Sequence, residues 1–75
     1  MAKDFDEQEL YNILLQKGEA AQLDAFMAFY EKYKNVIFLE GNIQDVYDFV
    51  YNKCARNERI KIFFDVQSEE AMNGK

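Results

Sequence analysis

Carboxylates are the only side chains in this sequence with the numbers and spacing for acid–base chemistry. Asp45 with Asp48, three residues apart, or Asp65 near the end of an apolar run, could hold a magnesium ion or divide acid and base roles. Nucleophilic catalysis lacks its second partner: there is no histidine to activate Cys54, and the sole serine, Ser68, falls in an expected tail. A zinc site needs several Cys and His ligands, and they cannot be assembled here. Asp4-Phe5-Asp6 opens like a calcium-binding loop, but Glu9 stands where the loop requires glycine, and a capped helix start explains the segment better. Gly18, Gly41 and Gly74 are isolated, so no glycine-rich phosphate loop exists. With 75 residues there is little room for a ligand cavity of about 300 Å³ beside a core. The expectation is a protein that is not an enzyme, with no cofactor, no metal site and no small-molecule substrate.

Binding is the chemistry left. Phe49 and Tyr51 flank the Val46 and Val50 stripe of an amphipathic segment, and Phe63 lies on the polar side of the last apolar run. These three read either as the wide apolar arc of a small core or as a partly exposed interface patch. Asp45 and Asp48 occupy one side of the same amphipathic segment, Asp4, Asp6, Glu7 and Glu9 gather near the N-terminus, and Glu69 and Glu70 near the C-terminus. Ordinary solvated faces account for such carboxylates. The alternative is a nucleic-acid mimic whose carboxylates occupy the basic groove of a DNA- or RNA-binding target. The candidate interface residues are therefore Phe49, Tyr51, Phe63, Asp45 and Asp48.

Composition bounds the partner. Fourteen acidic residues against nine basic ones give a net charge of −5, which repels nucleic acid and anionic membranes. A hydrophobic content of 49%, with 16% aromatic residues, is too high for general disorder. No apolar run approaches the roughly 18 residues of a membrane span, and the N-terminus lacks the pattern of a secretory signal. Cys54 reads as a buried core thiol in a reducing compartment, so the expected location is the cytoplasm. A single domain over residues 1–67 with a flexible tail over 68–75 is expected, with a stability of roughly 3 to 5 kcal/mol.

The elements that must position these residues read as α-α-β-α-β, an α+β fold. A first helix starts at Asp4, carries Leu10, Ile13 and Leu14 on one face and stops at Gly18. A second runs from about Glu19 to Lys34 with Leu23, Phe26, Met27 and Tyr30 inward. Val36 to Glu40 is β-branched and aromatic and reads as a strand, ended by Gly41. Asn42 caps a third helix bearing Ile43, Val46, Tyr47, Val50 and Cys54. Ile60, Ile62, Phe64 and Val66 alternate with polar neighbours, the signature of a half-buried second strand. Two strands packed against three helices leave open sheet edges. Either the pairing is antiparallel with the helix looping outside, or a second copy or target protein adds strands at Val36–Glu40 or Ile60–Val66.

In type, a short acidic chain without catalytic groups resembles the accessory proteins with which phages and mobile elements disable host factors, and toxin-neutralising immunity proteins. The resemblance rests on no motif. It implies an inhibitor or accessory role exerted by binding another protein or by forming a homodimer.

Overall fold

Asp6 starts the first helix, α1 (Glu7–Leu14): its carboxylate accepts a hydrogen bond from the Gln8 N–H at 2.9 Å, and Glu7 and Glu9 lie in the first turn, where the helix dipole favours negative charge. Asp4, the expected cap, lies outside the described residues, which in this computed structural model are 5–39 and 41–73. Leu10 and Ile13 face inward. Gly18 then turns the chain at φ +91°, a left-handed value that glycine adopts without a Cβ penalty.

The second helix, α2 (Glu19–Ile37), buries Phe26, Phe29, Tyr30 and Ile37, a stripe at helical spacing. Phe29 therefore joins the core, while Met27, at 39% exposure, lies outside it. The helix does not stop near Asn35 but runs through Val36 and Ile37, with Phe38 as its C-cap. Val36–Glu40 is thus not a strand over its described residues, and Glu40 itself is not described. Ile37 lies seven residues beyond Tyr30 and so falls on the same buried face. Its full burial, worth roughly 1.5 to 3 kcal/mol, outweighs a β-branched helix penalty of well under 1 kcal/mol.

Gly41, at φ +92°, reverses the chain into α3 (Asn42–Asp48). Asn42 is buried, and its side-chain amide donates at 2.8 Å to the Val36 carbonyl, which also accepts from the Leu39 N–H at 3.2 Å, fastening the start of α3 to the end of α2. A π-helical turn, Phe49–Lys53, continues α3 and closes with the Cys54 N–H donating to the Phe49 carbonyl at 2.9 Å. The wider turn accompanies burial of Phe49, Val50 and Cys54 together.

The last helix, α4 (Glu58–Asn73), is capped by Asn57, whose Oδ1 accepts from the Ile60 N–H at 3.3 Å. The Asn57 amide also donates to the Glu19 carbonyl at 3.3 Å and to Gln22 Oε1 at 2.9 Å, fastening the start of α4 to the start of α2. Ile60, Phe64 and Ser68 are buried at intervals of four, while Ile62 and Val66 are exposed. The alternation over Ile60–Val66 therefore does not mark a strand. The described residues form four α-helices with no strand among them, so the fold is all-α, and the α+β fold with its two-stranded sheet is overturned. The open edges expected at Val36–Glu40 and Ile60–Val66 go with it. Residues 68–73, where a tail was expected to begin, are part of α4. Among the described residues no helix is long and apolar enough to cross a membrane.

Two substitutions of the same chemistry separate helix from strand. Ile60→Val should lower the unfolding free energy by about 0.5 to 1.5 kcal/mol. Ile62→Val should leave it within about 0.5 kcal/mol in the same denaturant titration, whereas a strand facing the core with both residues makes the two losses equal. Ser68 Oγ is buried and finds no hydrogen-bond partner among the described residues, so Ser68→Ala should raise stability by about 1 kcal/mol; a comparable loss would show that the hydroxyl is satisfied.

Candidate functional site

The five residues singled out from the sequence fall in two places. Phe49 is only 4% exposed and stacks on Phe26, with ring centroids 6.5 Å apart at 5°, so it belongs to the core. Phe63 is half-buried and meets Phe26 and Tyr30 edge-on at 5.9 and 5.5 Å. Tyr51, at 41% exposure, is the most exposed of the three.

Asp45 and Asp48 border a small cleft of about 60 Å³ between α1 and the α3–π segment, together with Glu7, Leu10, Tyr11, Phe49 and Lys53. Lys53 Nζ lies 6.0 Å from the Tyr11 ring centre, and Asp48 accepts from the Asn52 amide at 2.6 Å. Among the described residues no three Asp, Glu, Cys or His side chains converge as cation ligands would. A wider trough of about 250 Å³ between α1 and α2 has a floor of Ile13, Ala25, Ala28 and Phe29 and a polar rim of Glu9, Asn12 and Gln16. Glu9 is already engaged there: Lys32 donates to it at 2.8 Å and the Tyr33 hydroxyl donates to its other oxygen. Those two donors hold the Glu9 carboxyl below its ordinary value and raise Lys32.

The surface that does gather unpaired apolar area is the outer side of α4. Ile62 is 61% exposed and Val66 45%, and their four-residue spacing stacks them on one face. Asp65 and Glu69 share that side, and Arg59 stands one turn before Ile62. Arg59 Nε lies 3.8 Å from Glu19, a loose pair with both side chains more than half exposed. Tyr51 joins this surface because its hydroxyl donates to the Asp65 carboxylate, while its ring stacks on Tyr47 at 5.8 Å, and Tyr47 in turn meets Phe64 edge-on at 5.2 Å. Sequence reasoning set Asp65 on the polar side but missed its bond with Tyr51, and it missed Ile62 and Val66 as surface groups, having turned them inward on a strand. The available signal was the longer series Asn57, Ile60, Phe64, Ser68 and Ala71, which steps at helical intervals and places Ile62 and Val66 opposite.

Cys54 is buried, and burial pushes its thiol up to about 11, leaving it in the unreactive protonated form. Against protein-family models, curated proteins and solved structures alike, the chain finds no match.

The hydrogen bond to Asp65 pushes the Tyr51 hydroxyl up from 10.0 to about 12, with partial burial and the Asp65 charge acting in the same direction. A group raised in the folded state stabilises fully below its unfolded value and loses that contribution as pH rises through the folded one. Folding stability should therefore decline between about pH 10 and about pH 12, and Tyr51→Phe should flatten that decline in urea titrations over the same range. An unchanged profile in the variant would show that the Tyr51–Asp65 bond is absent in solution.

Proposed function

We propose that this chain is a non-enzymatic protein-interaction module, an inhibitor or accessory protein that works in the cytoplasm by binding another protein or a copy of itself. The observation that carries the reading is the exposed Ile62 and Val66 pair on the outer side of α4, with Tyr51 held beside it by Asp65. Single exposed apolar residues are ordinary on any surface. Two stacked on one helix face, next to an aromatic fixed by a carboxylate, make a patch suited to docking, with anchors of the kind that dominate interface energies. The buried lone thiol of Cys54 suits a reducing compartment.

The nucleic-acid-mimic alternative is less well supported, because it asks for a row of carboxylates free to imitate phosphates. Glu9 is engaged by Lys32 and Tyr33, Asp48 by Asn52, and Lys53 stands among the residues around Asp45 and Asp48. Cations interleaved with the acids weaken any phosphate-like field.

The test compares capture from lysate of the source cells by three immobilised forms: wild type, Ile62→Asp with Val66→Asp, and Leu15→Asp, a control at an exposed site on the α1–α2 corner. The paired α4 variant should lose retained protein by at least about tenfold with its helical circular dichroism intact, while the Leu15 variant keeps it. Equal capture by all three forms would contradict the assignment of function to this face.

A further inference from the structure

Resting on that reading of the α4 face, we propose that the partner it is built for is a second copy of this chain, docked antiparallel through the two α4 helices about a two-fold axis at the level of Phe64. Arg59, Ile62, Val66 and Glu69 follow one another at intervals of three, four and three, the seam spacing of a helix that packs lengthwise on another. The seam is ordered as cation, apolar, apolar, anion. Its midpoint falls between Ile62 and Val66, so an antiparallel copy sets Ile62 against the partner's Val66 and Arg59 against the partner's Glu69, each contact occurring twice. That is the self-complementarity an isologous interface requires. A parallel copy would instead set Arg59 beside the partner's Arg59 and Glu69 beside the partner's Glu69, and would align the two helix dipoles unfavourably.

The groups needed are accessible. Among the described residues Arg59 is held only by its 3.8 Å pair with Glu19, and Glu69 is exposed and makes no ion pair. One contact opposes the pairing: Asp65, on the flank of the seam, comes near the partner's Asp65. The Tyr51 hydroxyl donating to that carboxylate satisfies part of its charge and limits the repulsion. With two apolar side chains per protomer at its centre, the interface is smaller than the roughly 800 Å² per partner of a standard stable complex. A weak, reversible dimer follows, with a dissociation constant on the order of 100 μM.

Salt is an ambiguous probe, since it screens both the general repulsion between acidic chains and the Arg59–Glu69 attraction. Charge reversal is not. Arg59→Glu makes the chain more acidic and Glu69→Arg makes it less so, so an effect of net charge alone would move self-association in opposite directions. The antiparallel seam requires both to weaken it, and their combination to restore it. The experiment is sedimentation equilibrium from about 10 μM to about 1 mM, with helical content checked by circular dichroism for every variant. A reversible wild-type dimer is expected, weakened about tenfold by each reversal, recovered by the double reversal and abolished by Ile62→Asp with Val66→Asp. A double reversal no better than the singles, or a dimer indifferent to the Ile62 and Val66 changes, overturns the proposal. A wild-type chain that stays monomeric, while the α4 apolar variant still loses protein captured from lysate, overturns self-pairing and leaves the broader interaction reading standing. Monomer together with unaffected capture overturns both.

Discussion

Phe26 and Phe64 meet at the centre of the molecule, both fully buried, with ring centroids 6.2 Å apart at 80°. Around this edge-to-face pair the other aromatics are arranged: Phe29, Phe49 and Phe63 against Phe26, and Phe38 and Tyr47 against Phe64. Each buried ring is worth roughly 1.5 to 3 kcal/mol, whereas the intrinsic helix penalty of an Ile, Val or Phe is a few tenths of that. Packing therefore sets the secondary structure of the last segment. A strand would set Ile60, Ile62, Phe64, Val66 and Ser68 on one side; only a helix turns Ile60, Phe64 and Ser68 inward while turning Ile62 and Val66 outward, and only with α4 so placed does Phe64 fill the space between α2 and α3.

Polar contacts fix where that helix begins and how it is turned. Asn57 caps α4 and reaches across to Glu19 and Gln22, so the first turns of α2 and α4 are tied together. At the other side, Tyr51 bonds Asp65 while Tyr47 packs on Phe64, which sets the α3–π segment against α4. The rotation that buries Phe64 also turns Ile62 and Val66 outward, so the exposed apolar face is a geometric consequence of the core. Structure and proposed function are linked at that point, since a different rotation of α4 would remove both.

Much of the helical framework was legible in the residues. Gly18 and Gly41 mark two of the three turns between helices, and the inward set Val46, Val50 and Cys54 could be read from spacing. The last segment could not be read locally, because seven residues from Ile60 to Val66 fit an alternating pattern as well as a helical one. Extending the window to Asn57 and Ala71 separates the two, since burial continues at helical steps. The same short window turned Val36 and Ile37 into a strand, though Ile37 continues the stripe of Phe26, Phe29 and Tyr30. The π-helical turn has no signal in residue type, and it goes with Phe49 lying inside the core, where adjacency to an inward stripe had left it ambiguous. Tyr51 was recognisable as an aromatic off the stripe, but its partner Asp65 lies fourteen residues away and becomes a neighbour only once α4 is helical.

Backbone chemical shifts measured by nuclear magnetic resonance over residues 57–73, with side-chain contacts from the same sample, test the placement of α4 most directly. An all-helical core predicts one unbroken run of helical shifts from Glu58 towards Asn73, with the Phe64 ring in contact with Phe26 and Ile62 making no core contact. Extended shifts across Ile60 to Val66, with Ile62 and Phe64 both touching the core, would contradict it and remove the outward face on which the proposed interaction depends.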